Sequence, residues 1–105
     1  MRKPPLEKNI TKSILKELKA HGWWAVKIHG GPFQNAGLPD ILALKDGLLL
    51  AIEVKRPGGK ATPLQEHVLG ELALHGATVR LATCVEDIRE IIDLHDDAEC
   101  LILRR

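Results

Sequence analysis

Gly37-Leu38-Pro39-Asp40-Ile41-Leu42-Ala43-Leu44-Lys45-Asp46-Gly47-Leu48-Leu49-Leu50-Ala51-Ile52-Glu53-Val54-Lys55 is the stretch that decides the fold. Asp46-Gly47 sits between two apolar runs. Such a dipeptide signals a tight hairpin, because both turn positions take φ > 0. Asp40–Leu44 and Leu48–Lys55 are therefore expected to be antiparallel strands. The run Leu48–Ile52 is apolar on both faces, so its strand should be central in a sheet. With Lys45 paired to Leu48, Asp40 falls opposite Glu53. Residues two apart on a strand share a side, so Glu53 and Lys55 face the same way. Two carboxylates and an ammonium then meet at one sheet end.

Outward from this hairpin, helix and strand signals alternate. Leu6, Ile10, Ile14, Leu15 and Leu18 recur at helical spacing, giving a first helix from about Leu6 to His21, stopped by Gly22. Trp23–Ile28 is a strand candidate, with Trp24, Val26 and Ile28 alternating against Ala25 and Lys27. His29–Leu38 is expected to be a long irregular loop. Thr62-Pro63-Leu64-Gln65 combines a cap threonine, a proline at the first helical position and a glutamine three residues after the cap. It opens a second helix with the stripe Leu64, Val68, Leu69 and Leu72. Ala77–Ala82 is a fourth strand. Thr83 with Glu86 forms another capping-box pattern before a helix through Val85, Ile88, Ile91 and Ile92. The tail 94–105 contains Leu101-Ile102-Leu103 and suits an edge strand, a packing arm or a dimer contact. The order is αβββαβα. A helix joins the third and fourth strands, so these should be parallel, giving a mixed four-stranded sheet flanked by helices. The length of 105 residues fits a single domain with a core of about 6–93.

Composition narrows the function classes. The chain is 45% hydrophobic and 28% charged, ordinary for a folded domain, and its apolar runs are too short to span a membrane. Met1–Pro5 lacks a signal-peptide core, so an intracellular, cytoplasmic setting is expected. Cys84 and Cys100 are expected to be free thiols there. The net charge of +1 conceals an asymmetry: residues 1–28 carry seven basic groups against two acids, and residues 86–99 one against seven. A basic half suits a polyanion; two solvated helix faces account for it equally well. Five histidines and two cysteines show no zinc spacing. Gly30-Gly31 has no following Walker lysine and serine. One Phe, two Trp and no Tyr provide few stacking platforms for single strands.

The carboxylate pair carries the chemistry. Two acids this close repel, and one keeps its proton at a raised pKa unless a cation joins them. All-oxygen ligands suit Mg2+ or Mn2+. Lys55 would orient a water or stabilise charge on a phosphate. A salt bridge at a sheet edge is the structural alternative. Glu7 lies along the buried stripe of the first helix, as a first-turn carboxylate favoured by the helix dipole or as an acid aimed at the site. Lys27, His29, Arg56 and Lys60 flank the site and are DNA-phosphate candidates; solvated side chains are the alternative.

Glu7, Gly37-Leu38-Pro39-Asp40, Ile52-Glu53-Val54-Lys55, Thr62 and Gln65 stand in an order that resembles the PD-(D/E)XK nuclease superfamily. More narrowly, the chain resembles the virus-type replication-repair nuclease family, VRR-NUC, from Glu7 to about Ile92. The resemblance implies a restriction-endonuclease or Holliday-junction-resolvase-like fold and a Mg2+- or Mn2+-dependent DNA endonuclease acting on branched DNA. It implies metal ligation by Asp40, Glu53 and the Val54 carbonyl, with Glu7 as a further acid. It also implies catalytic roles for Lys55 and Gln65, and a homodimer. Gln65 also fits a plain capping box. A non-catalytic DNA-binding or assembly module on the same fold and a restriction-type nuclease are the competing readings.

Overall fold

The computed structural model describes residue 3 and residues 5–29 and 36–103, with 97–103 as backbone alone. Residues 30–35, the middle of the expected loop, lie outside the described residues. The elements are α1 (Glu7–Ala20), β1 (Trp24–Lys27), β2 (Ile41–Lys45), β3 (Leu48–Val54), α2 (Pro63–Leu74), β4 (Thr78–Ala82) and α3 (Glu86–Leu103). The expected αβββαβα order and mixed sheet are present. The strands lie in the order β1-β2-β3-β4, antiparallel except for the parallel β3–β4 pair.

The hairpin fixes the register. Asp46 and Gly47 both have positive φ (50° and 81°), as a two-residue primed turn requires. Lys45 pairs with Leu48 and Ile41 with Ile52, so the ladder runs from the turn to the residues beside Asp40 and Glu53. β3 is buried from Leu50 to Val54 because both its faces are covered.

The two faces of the sheet differ. On one, Ala25, Ile41, Ala43, Leu50, Ile52, Val54 and Ala82 pack with Ile10, Ile14 and Leu18 of α1 and Ile88, Ile91 and Ile92 of α3. This is the core. On the other, α2 packs on β3 and β4. No residue of α2 is fully buried, so its apolar stripe is shielded only in part. Trp24, 60% exposed, and Leu44, 43% exposed, lie on the half of that face beyond α2. The alternation read in β1 is thus real, but the small Ala25 is its core residue. α1 crosses directly over β1, and a bulky side chain there would separate them.

Two expectations at the C-terminal side change. The chain does not become an edge strand after residue 93; α3 continues as a helix to Leu103. His95 follows Ile91 and Ile92 at helical spacing and packs at a tilt against the buried Trp23, with ring centroids 5.2 Å apart. A polar residue thus continues the inward stripe where apolar periodicity ends. The Thr83 cap also uses a different acid. Thr83 N–H and its hydroxyl both donate to Asp87 Oδ2, at 2.9 Å and 3.4 Å, rather than to Glu86. A turn at Val85 delays the helix and shifts the reaching carboxylate one residue along. That backbone bond is the main cause holding the Asp87 carboxyl below its usual range. Cys84 is a free thiol, and the Cys100 side chain lies outside the described residues. Among the described residues no helix is long and apolar enough to cross a membrane.

Gly37 sets the distance between α2 and the start of β2. Its φ is +85°, and a Cβ there would stand 2.8 Å from Leu64 Cγ and 3.1 Å from the Leu64 carbonyl oxygen. Gly37→Ala should therefore cost about 1–3 kcal/mol, through left-handed strain and displacement of the first turn of α2. Thermal unfolding measures it; an unchanged midpoint would refute the close approach.

Candidate active site

The site lies at the sheet end where β3 and β4 finish and β2 begins. Pro39 is fully buried just before Asp40. The Asp40 carbonyl accepts from Ile28 N–H at 2.7 Å. Its carboxylate Oδ2 accepts from Val54 N–H, also at 2.7 Å. Asp40 therefore ties β1 to β2 through its backbone and fastens to the end of β3 through its side chain.

Glu53 belongs to the α2 face of β3, and only 2% of it is exposed. Its Oε1 accepts from Gln65 Nε2 at 3.1 Å and lies 3.7 Å from Lys55 Nζ. Its Oε2 is buried and meets no donor. Burial pushes the Glu53 carboxyl from 4.5 up to about 8; the adjacent Asp40 carboxyl raises it further by hydrogen bonding and repulsion, while Lys55 pulls it down. A buried acid with an orphaned oxygen beside a second acid calls for a proton or a cation between them. The donor set fits a hard divalent cation, since every available atom is oxygen.

The supports come from neighbouring elements. Gln65 does both things its position allowed. Its Oε1 accepts from Thr62 N–H at 2.9 Å while Thr62 Oγ1 accepts from Gln65 N–H at 3.2 Å, completing the capping box. Its remaining amide nitrogen reaches Glu53, so the cap locks the rotamer that holds the acid. Lys55 follows β3 directly, its N–H donating to the Ala82 carbonyl at 2.9 Å. Its side chain is 15% exposed, so its ammonium works in a partly dried environment. Gly59 closes the following turn onto Arg56 O, and a Cβ there would stand 3.3 Å from Lys55 Cβ. That contact narrows the space available to the lysine stem.

Asp40, Glu53, Lys55 and Gln65 are thus brought together, with the Val54 backbone between them. Glu7 is not among their contacts. Its side chain is exposed in the first turn of α1. That turn stands at the same sheet end, since Pro5, Asn9 and Ile10 share a groove with Thr83 and Cys84 just beyond β4. Among the described residues no cluster of three or more metal-ligating side chains forms. Lys27, His29, Arg56 and Lys60 are exposed. Lys27 aligns with Ile41 across β1–β2, which puts it on the α1 face, opposite to Glu53.

The raised Glu53 pKa has a definite consequence for stability. Between about 4.5 and 8 the folded protein holds a proton that the unfolded chain has lost. The contribution of this group is fully present below about 4.5 and disappears as pH rises towards 8. In the metal-free protein, denaturant unfolding should show stability falling over that range by up to about 1.4 kcal/mol per pH unit from this group. Glu53→Gln should remove that fall and be the more stable form near pH 8. Parallel pH profiles for wild type and variant would contradict the assignment.

A model of the archaeal Holliday junction resolvase (Hjc) family matches residues 6–82. Two solved structures share the fold. One, a VRR_NUC domain, superposes with a TM-score of 0.71 at 24% identity, covering 83% of this chain and 94% of that one. The other, a VRR_NUC domain protein, has a TM-score of 0.72 at 19% identity, covering 87% and 88%. No curated protein matches. The narrower resemblance to VRR-NUC is accordingly one of fold, whereas the sequence match spans α1 through β4 and includes Asp40, Glu53, Lys55 and Gln65. On that match the chain belongs to the archaeal Holliday junction resolvase family of nucleases.

Proposed function

We propose that the chain is a divalent-metal-dependent endonuclease that hydrolyses phosphodiester bonds in branched DNA. The observation that carries this reading is the orphaned, buried Glu53 carboxylate beside Asp40, with Lys55 at its edge. Asp40, Glu53 and the Val54 carbonyl would hold Mg2+ or Mn2+, and Glu7 would add an acid from the first turn of α1. Bound there, the cation supplies Lewis-acid activation and neutralises charge on the phosphodiester.

The remaining work falls to this chain's own groups. Val54 N–H holds Asp40 at one oxygen and leaves the other available. Gln65 fixes Glu53 through Oε1, and Oε2 is the oxygen left without a protein donor. Lys55 presents a compact ammonium to orient an attacking water or to stabilise charge on the phosphate. Arg56, Lys60, Lys27 and His29 would contact flanking phosphates, positioning the backbone without reading bases.

Cleavage of branched and linear duplexes in Mg2+ or Mn2+ tests the reading. Wild type should cut, and Asp40→Ala and Lys55→Ala should each lose about 100-fold or more. Equal cutting by the variants, or none by wild type, would sink it. Mn2+ titration separates it from the non-catalytic module, which predicts no binding that depends on Asp40 and Glu53.

A homodimer is proposed with it, because paired cuts in a four-way junction need two sites at a fixed spacing. The second copy would cover the open half of the α2 face, where Trp24, Val26 and Leu44 are exposed. A contiguous apolar patch of this kind is a typical association surface. It lies on the same sheet face as Glu53 and Lys55, so a two-fold axis over it would turn both sites to one side. Light scattering should report a dimer for wild type and a monomer for Trp24→Glu. A wild-type monomer, with and without DNA, would remove the dimer.

A further inference from the structure

We propose that the flank of α1 bearing Lys8, Lys12 and Lys19 is a second track for a DNA backbone. It would engage a duplex arm of a branched substrate other than the arm being cut. The inference rests on the branched-DNA reading above and deepens it.

The placement follows from the helix. Ile10, Thr11, Ile14 and Leu18 are buried and define the inward direction of α1. Successive side chains turn by about 100°. Asn9, Ser13, Glu17 and Ala20 then lie on one flank and Lys8, Lys12 and Lys19 on the other, with Lys16 on the crest between. The first flank faces α3. One groove there is lined by Asn9 and Ser13 together with Thr83, Cys84 and Glu86. A second is lined by Ser13, Glu17, Ala20 and the crest residue Lys16 together with Val85 and Arg89. The lysine flank therefore points away from α3, towards the open side of the sheet at the β1 edge.

Charge is partitioned the same way. Glu17 is taken up on the α3 side, by Arg89 at 3.4 Å and His21 at 3.3 Å. Lys8, Lys12 and Lys19 are exposed, and among the described residues no acid forms an ion pair with them. Glu86, Glu90 and Asp93 are exposed on α3 and would repel a phosphate backbone from that side. One flank of the helix layer is thus left for a polyanion.

The geometry also says which part of the substrate. From Lys8 to Lys19 the helix rises about 16 Å, over which a duplex presents on the order of ten phosphates. The row starts at the site end of the sheet, where Lys27 is exposed on the same face. Glu53, Lys55 and α2 occupy the opposite face. A straight duplex laid on the site would have to bend round the β1 edge to follow α1. A branch point removes that cost, because a second arm leaves in another direction.

The test is fluorescence anisotropy in EDTA across a salt series. Wild type and Lys8→Gln/Lys12→Gln/Lys19→Gln are titrated with a four-way junction and with a linear duplex of one arm's sequence. Each lost phosphate contact lowers the log–log salt slope by about 0.9, so the junction slope should fall by about three, with at least a tenfold loss of affinity at low salt. The linear-duplex slope should change by less than about one. An unchanged junction slope, equal falls on both DNAs, or a wild type that does not bind the junction would each overturn the track. Binding without metal is independent of cleavage. A wild type that binds as expected but never cuts would therefore defeat the nuclease reading and leave the track standing.

Discussion

The constraint that organises this molecule is the burial of one carboxyl group. Glu53 sits at 2% exposure at the end of the strand most enclosed by the fold. A lone ionised acid in such a place costs several kcal/mol unless it is neutralised or well paired. The pairing here is incomplete. Lys55 stands off at 3.7 Å, Gln65 satisfies one oxygen, and the nearest other ionisable group is a second acid. A core optimised for stability alone would place an apolar residue at this position. The surrounding structure instead holds the arrangement in place. The capping box fixes Gln65, the Val54 amide fixes Asp40, and Gly37 lets the first turn of α2 approach. Unsatisfied polarity concentrated at one point, with rigid elements around it, is what a preorganised charged site requires.

Much of this was legible in the residues, and the reason is local. Asp46-Gly47 admits few backbone solutions, and a two-residue turn leaves one register. Asp40 and Glu53 are thereby set side by side before any tertiary contact is considered. Thr62-Pro63-Leu64-Gln65 is equally local, and the capping box formed as its spacing demands. What the residues did not reveal depends on contacts between distant elements. Nothing within Trp24-Ala25-Val26-Lys27 says that the alanine faces the core. That follows from how closely α1 crosses β1. The length of α3 was hidden because His95 packs on Trp23, and a histidine carries no weight in a search for apolar periodicity. Asp87 replaced Glu86 as the partner of Thr83 because one extra turn residue preceded the helix. Glu7 stands in line with the buried stripe of α1, yet it is exposed, because the helix N-terminus lies where the stripe runs out of sheet to cover it.

The two helices of the core layer divide the charge of the chain between them. α1 carries four of the nine lysines and α3 seven of the fourteen acids, and they meet through Arg89 and Glu17. The net charge of +1 therefore describes neither side of the molecule. Local potential, not the sum, governs encounter with a polyanion. With α3 beside α1, the acidic helix screens one flank and leaves the other open, so the fold converts a neutral composition into a directional surface.

The sheet has a second cluster of titratable groups at its far end, and the two ends differ in how fully their carboxylates are served. There Asp96 meets Lys45 at 3.4 Å and His21 at 3.5 Å, and Lys45 also donates to the His21 carbonyl at 2.7 Å. Residue types are similar to those beside β3: acid, lysine and polar partners from α1, the hairpin and α3. But Asp96 is 40% exposed and paired with Lys45, so water and counter-charge both serve it. This cluster fastens the extended half of α3 to the hairpin. Glu53 is 2% exposed, the cation beside it is Lys55 at 3.7 Å, and the neighbouring Asp40 repels it. Burial and a second acid separate the two ends, and only at the Glu53 end do they push a carboxyl up to about 8.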